Sequence, residues 1–177
     1  MKNAAMNPKT PEPVIDRPLA SIHFRLTVDG WHPIVAIRQP RREHPWQELY
    51  DLGIRQVLRL RDAQVEYNPA PLRVLGMVAM QDQVGEEGPD DLEYEEMLVH
   101  QAVLLLRGGL RHGGTAIHCV GGRGRSGTVI GGFLHTLGMP PHDVIHLLDR
   151  AYKDAGRPGW PESPWQAEVI GRIRIDA

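Results

Sequence analysis

The apolar positions of this chain recur first at strand spacing and later at helical spacing. Ile22 to Val28 (Ile-His-Phe-Arg-Leu-Thr-Val) alternates and predicts a strand, and Ile34 to Ile37 is a second short apolar run before Pro40. Residues 45–52 carry a helical pattern, with Pro45 suited to a first helical position and Gly53 to the stop. Ile54 to Leu60 alternates again and predicts a strand with Val57 and Leu58 buried. A short helix is expected over 69–75, started by Pro69 or Pro71. A strand from Met77 to Met80 then ends at Gln81-Asp82, and a loop runs from Gln83 to Pro89.

The longest helical pattern spans about Asp90 to Arg107. Asp90, Asp91 and Glu93 near its start suit the positive end of the helix dipole. Leu92, Glu95, Glu96, Val99 and Val103 trace rows along it, and Leu104 to Leu106 are expected to be largely buried. Glycines at 108, 109, 113 and 114 bracket a turn into a short buried strand, Thr115 to His118. A helix to about Leu137 follows, with Val129, Ile130, Phe133 and Leu134 at helical spacing. Pro140 and Pro141 begin another helix, His142 to Ala155, and a last one covers Glu162 to Ile175 with Trp165, Val169, Ile170 and Ile173 on one face. Strands with interspersed helices, then a central strand, then helices only, predict the α/β class. The expectation is a single domain with a central mixed, mostly parallel sheet flanked by helices, and a phosphate-binding loop between a strand and a helix. Residues 1–20, with Pro8, Pro11, Pro13 and Pro18, read as an irregular proline-rich leader, and 21–177 as the domain.

Composition narrows the function classes. A chain of 177 residues with 41% hydrophobic and 24% charged residues can bury one sizeable core. A net charge of −2 argues against a nucleic-acid footprint. No apolar run approaches the roughly 18 to 20 residues of a membrane span, and one cysteine cannot form an internal disulfide, so a cytoplasmic protein is expected. The nine histidines are scattered, so neither a metal nor another cofactor is expected. Arginine outnumbers lysine 17 to 3. Source composition accounts for most of that bias, and phosphate recognition for only a few arginines.

The candidate chemistry lies in residues 115–128, Thr-Ala-Ile-His-Cys-Val-Gly-Gly-Arg-Gly-Arg-Ser-Gly-Thr. A strand feeding a glycine-rich loop and then a helix makes an anion site, because loop amides and the helix dipole point at one spot. Cys119, the only cysteine, heads the loop, where an electropositive setting favours a reactive thiolate. Arg125 closes it with a planar fork that can grip two phosphate oxygens. Ser126 can donate to the sulfur or act as a plain N-cap. His118 orients the loop through hydrogen bonds. The backbone of Val120, Gly121, Gly122, Arg123 and Gly124 lines the cradle, and the Arg123 side chain either adds positive charge there or points to solvent.

His118-Cys119-x-x-Gly122-x-x-Arg125-Ser126 resembles the signature of the cysteine-dependent protein tyrosine and dual-specificity phosphatases. The likeness is tight over about 115–128 and looser over about 31–107, where Gly53 to Leu60 looks like the strand after the family's first helix. The Gly121-Gly122 pair is similar to the compact subgroup that includes the kinase-associated phosphatases. Many members carry Lys-Ala after the cysteine, where Val120-Gly121 stand here. The Trp-Pro-Asp acid loop of the large tyrosine-specific enzymes has no counterpart. The resemblance implies a phosphatase that works through a phosphocysteine on Cys119. Its substrate would be a phosphotyrosine, phosphoserine or phosphothreonine protein, a phosphoinositide, or a small phosphate ester, and phosphate-like oxyanions would inhibit it. It also implies an aspartate acid on a separate loop between a strand and the helix before the signature strand. Asp82 fits that place, with Asp90 and Asp91 as alternatives and Glu86 and Glu87 further off. The family's water-positioning glutamine corresponds to Gln166, or else that residue is a polar helix-face side chain.

Gly122-x-Gly124-x-x-Gly127 also spells the dinucleotide fingerprint. That reading needs an acid at the end of a second strand, whereas Asp143 begins a helix, and it leaves Cys119 and Arg125 without a role. A nucleoside triphosphate loop would need lysine where Gly127 stands. A sulfur-transfer enzyme and a non-catalytic phosphate-binding module are the remaining alternatives.

Overall fold

The computed structural model describes residues 10–62, 67–82 and 87–175. Six strands form one sheet in the order β1-β2-β3-β6-β4-β5. These are β1 (Val14–Asp16), β2 (Phe24–Thr27), β3 (Ile34–Ala36), β4 (Ile54–Arg59), β5 (Arg73–Met77) and β6 (Gly114–His118). β3, β6, β4 and β5 run parallel, and β1 and β2 add an antiparallel edge. The sheet is therefore mixed and mostly parallel, as the element order implied.

Alternation along the strands sorts the core into two layers. Val35, Ile37, Ile54, Val57 and Ala116 face α1 (Trp46–Asp51), packing with Trp46 and Leu49. Ile34, Ala36, Leu58 and Ile117 face the other four helices. These are α2 (Leu92–Gly109), α3 (Gly124–Thr136), α4 (Pro141–Asp154) and α5 (Pro164–Ile170). α3 sits at the centre of that layer, and its residues from Gly124 to Leu134 are all buried. A helix apolar on every side needs neighbours on every side, and α2, α4, α5 and β6 supply them.

Five expectations change. The leader is not wholly irregular: Val14–Asp16 pairs with Thr27–Arg25 as an edge strand, and Arg25 forms an ion pair with Asp16. The helix expected over 69–75 is absent, and the strand expected at 77–80 lies earlier, at Arg73–Met77, in parallel register with β4. Its exposure pattern is that of an edge strand, without the apolar alternation that marks a buried one. Val78 and Met80 are nonetheless buried just beyond it. The last helix stops at Ile170, because Gly171 and Arg172 turn away, yet Ile173 still reaches the core. Within α2, Leu106 is buried and Leu104 is 44% exposed. Asp91 caps α2 by accepting the Tyr94 N–H at 3.0 Å, a helix-start role.

Candidate active site

The C-terminal ends of the four parallel strands converge on one edge of the sheet, the side where ligands bind in open α/β folds. From β6 comes Cys119 and the loop to α3, from β3 the segment 37–42, from β4 Leu60 and Arg61, and from β5 the segment Met80–Asp82.

The loop is held from outside through its carbonyls. His118 Nδ1 donates to Cys119 O at 3.0 Å, and Gln39 N to Val120 O at 2.9 Å. His23 Nε2 donates to Gly121 O at 2.8 Å, and Tyr152 Oη to Gly122 O at 2.8 Å. Gly127 N donates to Arg123 O at 2.7 Å. Gly124 O accepts from Trp160 Nε1 at 3.1 Å and from Thr128 Oγ1 at 2.9 Å. A trans peptide sets each carbonyl against the following N–H. With six successive carbonyls engaged outward, the amides that follow them turn toward the hollow and make a nest for an anion.

The glycines make that winding sterically feasible. Gly122 has φ +71°, and a Cβ there would overlap the Ile37 carbonyl. A Cβ on Gly127 would come within 2.5 Å of the Trp160 ring, whose N–H reaches Gly124 O. Gly122, Gly124 and Gly127, the glycines of the dinucleotide fingerprint, thus serve the loop itself, and no strand follows α3 among the described residues.

His118 is fully buried. A carbonyl can only accept, so Nδ1 carries the proton, and Nε2 accepts from Tyr67 Oη at 2.6 Å. Burial pushes the His118 pKa down to about 4, and nearby Arg59 and Arg61 add to the shift, so the ring is neutral near pH 7. His23 is likewise pushed down to about 4, again mainly by burial. Both rings act as fixed hydrogen-bond donors.

The reactive groups gather at the hollow. Cys119 is buried, with Ser126 Oγ 3.5 Å from its sulfur. Arg125 is 5% exposed. Its Nη1 donates to Met80 O at 3.1 Å, its Nη2 lies 3.7 Å from Asp82, and its buried Nε has no partner among the described residues. Asp82 is the acidic side chain beside Arg125 among the described residues, and it is 55% exposed. Asp90 instead bonds Gln81 through both its N–H and its carboxylate, and Asp91 caps α2. Glu86 lies outside the described residues, and Glu87 is exposed. Gln166 is fully buried: its Oε1 accepts from Glu162 N at 2.8 Å, and its Nε2, beside Gly124, has no partner among the described residues. Arg123 takes neither expected course. Its guanidinium pairs with Glu162 at 2.7 Å and bonds the Gly159 carbonyl, away from solvent and from the hollow.

Sequence reasoning missed His23, Tyr67, Tyr152, Trp160 and Glu162. Each reaches the loop from between 30 and 98 positions away or through one of its neighbours, and no local pattern signals such contacts. Glu95 was legible only as part of a helix row. Its carboxylate is buried and accepts the Gln81 N–H at 2.8 Å, which fixes the chain one residue before Asp82.

Residues 31–157, most of the chain, match the family described as Swiss Army Knife protein, DSP-PTPase phosphatase domain. The chain belongs to this family. It is a phosphatase of the cysteine-dependent tyrosine and dual-specificity superfamily, and therefore a hydrolase. No curated protein matches it. Among solved structures, TpbA of P. aeruginosa is 13% identical and superposes with a TM-score of 0.63 over 90% of this chain and 89% of that one. The core catalytic domain of the PP-IP phosphatase SIW14 from S. cerevisiae is 18% identical, with a TM-score of 0.54 and 78% of each chain covered. PTPMT1 in complex with PI(5)P is 17% identical, with a TM-score of 0.54 over 78% of this chain and 88% of that one. At these identities the likeness establishes the fold. No helix among the described residues is long and apolar enough to cross a membrane.

Proposed function

We propose that the chain hydrolyses phosphate monoesters in two steps at Cys119. A phosphate held by the amides of residues 120–125 and by Arg125 presents its phosphorus to the Cys119 thiolate. The sulfur–phosphorus bond forms as the ester P–O bond breaks, and Asp82 gives its proton to the departing oxygen. Water then attacks the phosphocysteine, Asp82 takes a proton from it, and the sulfur leaves as thiolate with a hydrogen bond from Ser126. The products are an alcohol and inorganic phosphate. Gln166 Nε2, a buried donor without a partner at the loop, suits the placement of that water. The observation that carries the reading is the convergence of Cys119, Arg125 and Asp82 on one hollow, with Arg125 bonded to Met80 O on the acid-bearing segment.

The substrate is a phosphorylated protein or a related phosphate ester. A TpbA structure holds pTyr, while SIW14 and PTPMT1 are linked to PP-IP and PI(5)P, so the same loop fold serves both kinds of substrate. Cys119→Ser tests the mechanism. Turnover of p-nitrophenyl phosphate should fall on the order of 10³-fold or more, while vanadate binding by calorimetry persists. Turnover near the wild-type rate would refute the nucleophile.

A further inference from the structure

One feature at the mouth of the loop has no part in this chemistry. Beside Val120, the first residue after Cys119, a cavity of about 840 Å³ opens, with Arg38, Arg41, Arg42, Glu43 and His44 among its lining residues. The three arginines are exposed. Three other surface arginines have carboxylate partners: Arg25 with Asp16, Arg150 with Asp154, Arg172 with Glu96. Among the described residues, Arg38, Arg41 and Arg42 have none, and Glu43 in the same segment pairs with none of them.

The segment is fixed to the loop. Gln39 N donates to Val120 O at 2.9 Å, and Arg61 Nη1 donates to Gln39 Oε1 at 2.6 Å. Pro40 and Pro45 stiffen the backbone on either side of the arginine pair. Arg157 and, more weakly, Arg38 act on His23, which bonds the loop at Gly121. The positive charge inside the loop, on Arg123, is already matched by Glu162. Uncompensated positive charge at the mouth therefore includes this segment, with the Arg157 guanidinium near Gly121 adding to it. Like charges gathered in a cleft without a counter-ion raise the local concentration of anions, and guanidinium forks suit phosphate oxygens.

We propose that Arg38, Arg41 and Arg42 form a second anion subsite beside Val120. It takes a further phosphate of a multiply phosphorylated small molecule, a polyol with phosphates on several carbons, while the first phosphate occupies the Cys119 loop. The inference rests on the phosphatase reading of that loop. A simple aryl phosphate uses the loop alone, and a polyphosphorylated ring engages both sites at once. The same chemistry exists on a free polyol phosphate and on a lipid headgroup.

Competition against p-nitrophenyl phosphate hydrolysis tests the subsite without requiring the probe to be turned over. Inositol 1,4,5-trisphosphate should inhibit at least about tenfold more tightly than inorganic phosphate, and more salt-sensitively. In the Arg38→Ala/Arg41→Ala/Arg42→Ala variant that advantage should vanish, while kcat/KM for the aryl phosphate and inhibition by inorganic phosphate stay within about twofold. Arg150→Ala, remote in sequence and paired with Asp154, controls for net charge and should retain the advantage. A soluble short-chain phosphatidylinositol bisphosphate serves as the lipid arm. Tighter inhibition than its free headgroup, lost in the triple variant, assigns the lipid form, and equal inhibition assigns the free polyol phosphate. An active enzyme with no trisphosphate advantage, or an advantage that survives the triple substitution, overturns the subsite. Absence of aryl phosphate turnover in the wild type would instead overturn the phosphatase reading beneath it.

Discussion

The Cys119 loop and the segment carrying Asp82 face one another across the same hollow, yet they are anchored very differently. Every carbonyl from Cys119 to Gly124 accepts a hydrogen bond, and three of the seven donors are side chains from distant parts of the chain, His23, Tyr152 and Trp160. Met80–Asp82 is tied by Arg125 at Met80 O, by Glu95 at the Gln81 N–H and by the Gln81–Asp90 bonds, while Asp82 itself meets Arg125 only at 3.7 Å and is 55% exposed. The contrast fits the two tasks. A phosphoryl group has one shape and rewards a preorganised nest. The proton donor proposed for Asp82 must meet leaving groups of different size, which an exposed aspartate can do.

The contrast is sharpest if each side can be damaged separately. Asp82→Asn should lower kcat on the order of 10²-fold for alkyl phosphates and far less for p-nitrophenyl phosphate, whose leaving group needs little protonation, with thermal stability unchanged. An equal loss for both substrates would show that Asp82 acts on the loop instead. Asp91→Ala should do the reverse, costing about 1 kcal/mol of stability through the lost N-cap while leaving the rate intact. A larger rate loss there than at Asp82 would move the acid.

Tyr152→Phe tests the anchored side. Removing the hydroxyl strands the Gly122 carbonyl in a buried setting, which should cost about 1–3 kcal/mol in denaturant unfolding. Affinity for vanadate should fall by a few-fold, with no dependence on leaving group. Unaltered stability would mean that the loop does not rely on its outer bonds.

The smallest effect near neutrality concerns the two histidine anchors. Both are buried neutral with pKa values lowered to about 4 from an ordinary 6.5. Their contribution to stability is fully present above about pH 6.5 and is lost progressively as pH falls toward 4, because the unfolded rings bind protons more readily. Thermal melts should therefore be flat in these groups at neutral pH and decline on acidification. His23→Gln should shallow that decline, and an identical slope in the variant would count against its role.

The legible parts of the fold were those written in adjacent residues. Strand β6, the glycine-rich turn and helix α3 follow from one apolar run, three glycines and a change of period within 115–137. Pro45 and Gly53 bracketed α1, and Pro140-Pro141 announced α4, because caps and breakers act locally. Strand β5 was misplaced because an exposed edge strand is specified by its pairing with β4 rather than by alternation. The early strand β1 was hidden among prolines for a similar reason: its ladder partner lies 13 positions away at Thr27.

The sequence by itself determined the chemistry offered at the site: one thiol, one arginine, and a backbone free enough at Gly122 to wind around an anion. It also restricted the acid to a short stretch after β5, though not to one residue. Only the tertiary structure placed those acids, setting Asp82 against Arg125, binding Asp90 to Gln81 and Asp91 to an α2 amide, and that placement is what favours Asp82 in the proposed mechanism. It likewise withdrew Arg123 into a pair with Glu162 and exposed Arg38, Arg41 and Arg42 without partners at the mouth. A charge has meaning only relative to its neighbours in space, and those neighbours come from strands and helices that the chain brings together after long intervals of sequence.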